Sequence, residues 1–254
     1  METLEAPETR LTPSASAFDM DRYRRQLEML APDYVCPRCK GEGIFMDRHS
    51  NSAYYCACRP VRSALGRLKK QGLDQAARAM TFASFIASEP WQQQMLAAAR
   101  SYVSHETPGW LFLGGQSGCG KTHLGTAAAV ALALRGQEFV YMPWTHEVMR
   151  LKALSIDERR DEAMDRFLSA PILYIDDLFK SPPTEADKHI AFELLSARYV
   201  RDDRPTIISS ERLLSDLFEI DEALAGRIAE RCGRSGVLQI PKDRKKNYRL
   251  AGLM

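Results

Sequence analysis

The sequence lacks an apolar stretch long enough to cross a bilayer. Its longest uninterrupted apolar run is the eight residues 127–134, whereas a membrane-spanning helix needs about 20. The opening residues, METLEAPETR, also lack the basic and apolar parts of a secretory signal. We therefore expect a cytoplasmic protein with no membrane partner.

A large excess of one charge is missing as well. Lysine and arginine total 35 against 33 acidic residues, a net charge of +2. This balance excludes a strongly basic nucleic-acid coat protein but leaves local patches open. With 45% hydrophobic and 27% charged residues, the composition is typical of a folded soluble protein. The 254 residues allow one large domain, or one domain with a small appendage.

Cysteine is scarce outside one short segment. Cys119 and Cys232 stand alone, whereas the other four of the six follow the pattern C-x₂-C, sixteen residues, C-x-C. Disulfides are rare in a reducing compartment, and four thiolates suffice for a closed tetrahedral site. The pattern predicts a structural zinc site with the ligands Cys36, Cys39, Cys56 and Cys58. An iron–sulfur cluster, disulfides and free thiols remain alternatives, and His49 in the spacer could replace one cysteine.

Short apolar runs alternate with helical segments in the rest of the chain. The runs at residues 110–113, 139–142, 172–175, 206–209 and 237–240 predict strands. Strands that alternate with helices favour a parallel sheet that is covered on both faces. We therefore predict an α/β fold with a parallel five-stranded sheet.

One of these helices should begin just after Thr184. Thr184 and Asp187 have the spacing of a capping box. Ile190, Leu194 and Ala197 then form an apolar stripe at i, i+4 and i+7, which we expect to be the buried face of the helix.

The strand predicted at residues 110–113 runs into a glycine-rich loop. The segment GQSGCGKT fits the pattern G-x-x-x-x-G-K-[ST] in the required strand–loop–helix setting. The glycines let backbone N–H groups point at phosphate oxygens, and the helix N-terminus adds positive potential. Lys121 should reach the β- and γ-phosphates, and Thr122 should place its hydroxyl on Mg²⁺. The predicted nucleotide-binding residues are Gly115, Gln116, Ser117, Gly118, Cys119, Gly120, Lys121, Thr122 and His123.

Two acidic residues end the strand predicted at residues 172–175. Parallel strands deliver their C-terminal ends to one edge of the sheet, so Asp176 and Asp177 should lie beside the phosphate loop. Asp176 would hold Mg²⁺ together with Thr122, and Asp177 would polarise the attacking water. With Lys121, these residues predict a catalytic site for ATP hydrolysis.

Four motifs, GGQSGCGKTHL, ILYIDDLFK, RPTIISSERL and DEALAGRIAERC, resemble those of AAA+ ATPases. The resemblance covers roughly residues 80–250. It is to the DnaC/DnaI/IstB-like group of helicase loaders and transposition helpers, and within it to phage-type and Firmicutes-type DnaC-like loaders. It implies an AAA+ P-loop core with no or a minimal lid, ATP and Mg²⁺ as cofactors, and self-association into an oligomer.

The resemblance also assigns roles to residues near the C-terminus. It implies that Arg227 reaches the nucleotide of a neighbouring subunit as an arginine finger, with Arg231 as the rival. The family usually has Asn or Asp at the end of the sensor-1 strand, where this chain has Ser209, Ser210 and Glu211. Either Ser210 or Glu211 would therefore act on the nucleotide.

Two further features follow from the same resemblance. Residues 144–168 are longer than one crossover helix needs, and related proteins carry an extra helix there that faces single-stranded DNA. Arg150 and Lys152 would then be phosphate contacts, although a solvated helix face is an equal alternative. Phe82 and Phe85 lie where the family holds adenine, and they could equally be core aromatics.

We predict three parts. Residues 1–30 form a flexible N-terminus and short helix, residues 31–80 a zinc-binding, partner-docking module with a basic helix, and residues 81–254 the AAA+ ATPase domain. The leading hypothesis is ATP-dependent loading of a DnaB-type replicative helicase onto single-stranded DNA. The runner-up is an IstB-like ATPase helper of a transposase. A small-molecule kinase and a DNA-binding ATP switch with almost no turnover are the remaining alternatives.

Overall fold

The structure, a computed structural model, describes residues 18–31, 33–47, 51–105, 109–154, 158–243 and 246–248. Within these ranges the chain forms ten helices and seven strands. No helix in the described part of the chain is both long and apolar enough to cross a bilayer. The predicted flexible terminus, apart from Phe18 and the residues after it, lies outside the described ranges, as does His49.

From the fourth helix onward, one or two helices separate successive strands. The helices are α1 (Met20–Glu28), α2 (Arg59–Lys70), α3 (Asp74–Ala79), α4 (Pro90–Ser104), α5 (Lys121–Leu134), α6 (Trp144–Ala153), α7 (Glu158–Leu168), α8 (Glu185–Tyr199), α9 (Leu214–Ile220) and α10 (Glu222–Cys232). The strands are β1 (Ile44–Asp47), β2 (Ser52–Tyr55), β3 (Trp110–Gly115), β4 (Phe139–Pro143), β5 (Ile172–Asp176), β6 (Thr206–Ser210) and β7 (Val237–Ile240).

The predicted parallel sheet is confirmed. It has five strands in the order β4-β5-β6-β3-β7, and all four strand pairs are parallel. Every residue of β3, β5 and β6 is buried, as expected for strands covered on both faces. This order sets the C-terminal ends of β5, β6 and β3 next to one another, at the edge where the phosphate loop begins.

Helices cover the two faces of the sheet, and strand alternation decides which residues meet them. On β3, Leu111 and Leu113 belong to one apolar cluster together with α5 and the first four helices. Trp110 and Phe112 belong to a second cluster, formed with helices α6, α7, α8, α9 and α10. Because successive side chains of a strand point to opposite faces, a single central strand anchors both halves of the core.

The N-terminal helices share the first of these clusters. Helix α2 buries Val61, Ala64 and Leu68, and Arg67 Nη2 donates to the carbonyl of Ala133 at the end of α5, at 2.7 Å. This helix is the predicted basic helix, and its apolar face packs against the ATPase core. It carries Arg59, Arg62, Arg67, Lys69 and Lys70. In three dimensions, residues 59–79 contact the core as well as the cysteine segment that precedes them.

The stripe predicted for α8 is correct at its start and wrong at its end. The capping box forms: Thr184 Oγ1 accepts from Asp187 N, and Asp187 accepts from Thr184 N. Ile190 and Leu194 are buried, but Ala197 is exposed. The next residue, Arg198, is buried instead, at i+8 from Ile190.

Arg198 is fully buried because backbone carbonyl groups satisfy it. Its guanidinium donates to Phe167 O at 3.0 Å, Ala170 O at 2.8 Å and Pro205 O at 2.8 Å, and to Thr206 Oγ1 at 3.0 Å. Burial lowers its pKa to about 10. The side chain thus joins the end of α7 to the segments that lead into β5 and β6, which an apolar residue could not do.

Candidate functional site

The phosphate loop has the backbone shape that its glycines predict. Gly118 and Gly120 have φ of 79° and 93°, a region that L-residues with a Cβ rarely adopt. A Cβ at Gly118 would lie 2.0 Å from Asn247 Oδ1, and one at Gly120 would lie 2.7 Å from Phe85 Cε2. The loop therefore has room for bare backbone only, as expected of a cradle for phosphate groups.

Lys121 begins helix α5 directly after this loop. Its side chain is buried, and Nζ donates to Gln116 O at 2.8 Å, across the loop. The helix N-terminus contributes unpaired N–H groups and positive potential at the same place. A triphosphate suits this donor set, since the ammonium spans the loop and the N-terminus of α5 begins where the loop ends.

Asp176 lies at the centre of a set of hydroxyl donors. Its Oδ1 accepts from Ser209 at 2.5 Å, from Tyr174 at 3.1 Å and from Thr122 at 3.2 Å, and its Oδ2 accepts from Tyr141 at 3.1 Å. The structure therefore brings together the two residues predicted to hold magnesium. A carboxylate beside a threonine hydroxyl is an oxygen ligand set that suits Mg²⁺.

The two tyrosines at Asp176 remain neutral donors. Burial, followed by the charge of Asp176, raises the pKa of both Tyr141 and Tyr174. They pair directly across β4 and β5, where Tyr141 lies opposite Tyr174. Their phenol groups can therefore orient the carboxylate without carrying charge themselves.

Asp177 follows in a left-handed conformation, with φ of 60°. Its Oδ2 lies 2.5 Å from Lys180 Nζ, and its N–H donates to Ser209 Oγ at 2.9 Å. The hydrogen bond to Asp177 raises the pKa of Lys180. The predicted water-polarising carboxylate is therefore close to Asp176 but is engaged by a lysine that the sequence reasoning missed.

A cavity of about 280 Å³ lies between these elements. Its polar lining residues include Lys121, Thr122, Asp177, Lys180 and Glu211. Its apolar lining residues are Met80, Phe85, Ile86 and Tyr248. Charged and aromatic side chains in one cavity suit the two parts of a nucleotide, a charged phosphate chain and a flat base.

Two of the predicted alternatives take different positions. Ser210 is fully buried and donates to Leu178 O at 2.6 Å, whereas Glu211 lines the cavity. Phe82 is buried against Tyr23, with ring centroids 5.7 Å apart, whereas Phe85 lines the cavity.

Two of the loop-region residues have geometry that the motif alone did not reveal. Cys119 is fully buried, and burial raises its pKa. His123 Nε2 lies 2.8 Å from Thr81 O, so it carries the proton and donates. Burial lowers the pKa of His123, and its ring meets Phe85 edge-on at 5.1 Å.

The two candidate finger residues lie on α10. Arg227 places its guanidinium 4.8 Å from the ring centroid of Phe192 and donates to Ala223 O. Arg231 instead forms an ion pair with Asp202. Neither arginine lines the cavity of its own chain.

The two cations predicted to contact single-stranded DNA are paired with acids. Lys152 Nζ lies 2.8 Å from Asp187 Oδ1, and Arg150 lies 3.4 Å from Glu147. Asp187 also accepts the capping bond of Thr184, so Lys152 is held at the start of α8. These ion pairs leave both side chains with less net charge to offer a phosphate.

The four clustered cysteines converge on one point. All four Sγ atoms lie within 4.8 Å of one another, with Cys36 to Cys56 at 3.6 Å and Cys39 to Cys58 at 3.4 Å. A tetrahedral Zn–S₄ site has sulfur–sulfur distances of about 3.8 Å, from Zn–S bonds of about 2.3 Å. The thiols are buried and form no disulfide; donation from the N–H of Cys39 lowers the pKa of Cys36, whereas burial raises the pKa of Cys58. Together these features fit one zinc ion.

A small antiparallel hairpin, β1 with β2, completes the four-cysteine module, which we define as residues 33–47 and 51–58. Phe45 packs on the cysteines from one face. On the other face, Ile44, Met46 and Tyr55 are 46%, 58% and 70% exposed. Arg59 lies over the Tyr55 ring at 3.9 Å. The module therefore presents apolar side chains to solvent.

The residues of this candidate site to which the sequence assigned no role are Tyr141, Tyr174, Lys180, Ser209 and Tyr248. Two of them had a local signal, since Tyr174 stands two residues before Asp176 on the same strand face and Lys180 follows Asp177 by three residues. Tyr141, Ser209 and Tyr248 reach the site from segments far away along the chain.

Comparison with known proteins agrees with this geometry. The family model described as IstB-like ATP binding protein matches residues 57–251. The phage-like element PBSX protein XkdC of Bacillus subtilis is 29% identical over 240 residues, covering 88% of this chain and 89% of that protein. The putative ATP-binding protein of insertion sequence IS232 from Bacillus thuringiensis is 28% identical over 119 residues, covering 46% and 47%.

Among solved structures, the DnaC helicase loader shares the fold. The match has a TM-score of 0.52 at 19% sequence identity and covers 66% of this chain and 99% of that one. The family match begins at residue 57, where helix α2 is about to start, and so includes the helices that pack on α5.

Proposed function

The chain belongs to the family of IstB-like ATP-binding proteins, P-loop ATPases with an AAA+ core, and on that premise we propose that it loads a DnaB-type replicative helicase onto single-stranded DNA. One observation carries the proposal. The ATPase core bears a separate four-cysteine module whose hairpin exposes Ile44, Met46 and Tyr55. Exposed apolar patches of this kind mark protein interaction sites. The module would hold the helicase while the core binds ATP and DNA.

The residues of the cavity would share the work of hydrolysis. Bound MgATP supplies the phosphoanhydride bond that is cleaved. The loop N–H groups and Lys121 bind and orient the phosphates, while Thr122 and Asp176 hold Mg²⁺. Once the ion pair between Asp177 and Lys180 breaks, the Asp177 carboxylate would orient the attacking water and accept a proton from it. Glu211 would sense the terminal phosphate; its position in the cavity lining supports this choice, whereas Ser210 is buried and donates to Leu178 O.

Arg227 would complete the site of a neighbouring subunit. It does not line the cavity of its own chain, and Arg231 is engaged by Asp202. A planar cation supplied in trans stabilises charge on the transferred phosphoryl group and is worth about 10³-fold or more in rate. The proposal therefore requires an oligomer.

Mixed subunits test this assignment. Lys121→Ala and Arg227→Ala proteins should each be inactive, and their mixture should recover hydrolysis, because the first supplies Arg227 to the intact loop of the second. A mixture that stays inactive, or a monomer that hydrolyses ATP at the full rate, contradicts the finger in trans. Full activity in the monomer would instead favour a small-molecule kinase or another self-contained enzyme.

Zinc would hold the module together, through Cys36, Cys39, Cys56 and Cys58. A closed four-thiolate site has no open position for substrate, so its role would be structural. The module would then depend on the metal for its shape, and its exposed face would depend on the metal for its function.

A helicase pull-down tests the docking surface. We expect the double variant Ile44→Ser/Met46→Ser to retain about a tenth or less of the helicase, since a few apolar anchors dominate most interfaces. Val200→Ser is the matched control, because Val200 is also an exposed apolar residue (77%) but lies after α8. Zinc content and ATPase rate should be unchanged in both. Equal helicase binding by the double variant and the control would contradict docking through the hairpin.

The family name supports a second candidate, an ATPase helper of a transposase. The same pull-down, repeated with a transposase of the insertion-sequence type, separates the two. Capture of the transposase and not of the helicase would favour the helper.

A third alternative is an ATP switch with almost no turnover. The rate of ATP hydrolysis, measured with and without single-stranded DNA, tests it, because turnover stimulated by DNA contradicts it.

A further inference from the structure

The last described residues of the chain lie against the phosphate loop. The side-chain amide of Gln116 makes two hydrogen bonds to the backbone of Asp243, donating to its carbonyl and accepting from its N–H, each at 2.7 Å. Further on, the N–H of Tyr248 donates to Gly118 O at 2.9 Å. The closing segment, defined as residues 241–243 and 246–248, is therefore joined to the loop at two points.

Tyr248 lines the nucleotide cavity together with Phe85 and Ile86. Its ring centroid lies 5.7 Å from that of Phe85 and 6.0 Å from that of Trp91. Its hydroxyl donates to the carbonyl of Ile86. Burial raises the pKa of Tyr248 to about 12, so the phenol is neutral at physiological pH.

We propose that Tyr248, together with Phe85, forms the wall that binds the base of the nucleotide, so that the closing segment is part of the nucleotide site. The cavity is lined by charged side chains, among them Lys121, and by the aromatic rings of Phe85 and Tyr248, and the phosphates would bind at Lys121 and the loop. A base beside these rings stacks on flat side chains, which is a favourable contact for any purine. Phe85 comes from before the loop and Tyr248 from the other end of the chain.

The arrangement also explains why the closing segment touches the loop. Gly118 both accepts from Tyr248 N and leaves the space that Asn247 fills. A shift of Tyr248 on base binding would therefore also move Gly118, in the loop that binds the phosphates. The hydrogen bond between Tyr248 and Gly118 would thus couple binding of the base to binding of the phosphates.

The rival explanation is that Tyr248 only supports the loop. The two explanations differ for a ligand without a base. If Tyr248 only stacks on the base, its removal should not change the affinity for such a ligand. Inorganic tripolyphosphate with Mg²⁺ provides such a ligand, because it carries the phosphate chain alone.

The test compares calorimetric binding of ATP and tripolyphosphate to the full-length chain. Tyr248→Ala should weaken ATP binding about tenfold or more and leave tripolyphosphate binding within about twofold. Tyr248→Phe should keep ATP affinity within about threefold, because the ring remains. Tyr199→Ala serves as the matched control, since that tyrosine bonds Glu230 away from the cavity.

Other outcomes overturn the proposal. Equal weakening of both ligands by Tyr248→Ala would assign the residue to loop support, and unchanged ATP binding would remove it from the site. If Tyr248→Ala does not fold, Tyr248→Leu replaces it: a loss of ATP affinity with tripolyphosphate unaffected supports the wall, and wild-type ATP affinity contradicts it.

Discussion

The central sheet and the four-cysteine hairpin are held together in opposite ways. Every residue of β3, β5 and β6 is buried, whereas all four residues of β2 are exposed and β1 is at most half-buried. The sheet is stabilised by apolar burial on both faces. Around the four cysteines the apolar packing is limited to a few partly buried side chains, Met29, Tyr34 and Phe45, and the proposed zinc ion would supply the stability that so small a core does not. We therefore expect the hairpin to lose its shape without the metal while the sheet keeps its own.

Removing the metal should have the largest effect, and a local one. Cys36→Ser, or a strong zinc chelator, should abolish zinc binding, which contributes on the order of 10 kcal/mol to small zinc modules. Hydrogen exchange should become fast in β1 and β2 and stay slow in β3 and β5.

Cys232→Ser is the matched control, because Cys232 is a buried cysteine of the sheet core. It should keep one zinc ion per chain even if it lowers the melting temperature. Fast exchange throughout the chain after chelation would show that the two regions fold as one unit.

The second prediction concerns Arg198, the fully buried arginine in the core of the ATPase domain. Arg198→Ala leaves the carbonyls of Phe167, Ala170 and Pro205 without their charged donor and should lower the free energy of unfolding by about 3 kcal/mol or more. Chemical denaturation measures it, and the zinc content should not change. Arg201→Ala, at an exposed arginine paired with Asp203, should stay within about 0.5 kcal/mol. Similar losses in the two variants would mean that Arg198 contributes no more than a surface ion pair.

The third prediction concerns the hydrogen bond from Tyr141 to Asp176, at the edge of the sheet. Tyr141→Phe removes one donor to Asp176 Oδ2, so the carboxylate should be less well oriented. We expect the Mg²⁺ concentration for half-maximal ATPase activity to rise about threefold, with about 1 kcal/mol or less of lost stability. Tyr199→Phe, which breaks a bond to Glu230 elsewhere, should leave the Mg²⁺ requirement alone. An unchanged Mg²⁺ requirement in Tyr141→Phe would exclude the orienting role.

The smallest effect is a pH dependence from His123. Burial lowers the pKa of His123 in the folded chain below 6.5, its value in the unfolded chain. Between the folded pKa and 6.5, the unfolded chain therefore binds more protons than the folded one. The stabilisation is complete above pH 6.5 and is lost as the pH falls through the folded pKa. His123→Gln should therefore flatten the fall in melting temperature below pH 6.5. If the melting temperature of His123→Gln falls below pH 6.5 as steeply as that of the wild type, other groups cause the loss of stability in acid.

Local sequence patterns predicted the fold well because its signals are local. The five strands, the phosphate loop and the acids after β5 each follow from a few neighbouring residues. The error at Ala197 arose because an apolar stripe was assumed where Arg198 meets carbonyls of two other segments, that of Phe167 and Ala170 and that of Pro205. Ser209 and Tyr248 were missed for the same reason, since their partners at Asp176 and Gly118 lie far away along the chain.

Native mass spectrometry of the chain with ATP and a candidate DnaB-type helicase tests the central claim most directly. The account predicts a complex that contains the helicase hexamer, several copies of this chain and one zinc ion per copy, and that loses the helicase when the zinc is removed. A chain that carries zinc and ATP but binds no helicase, and instead binds a transposase, would contradict it.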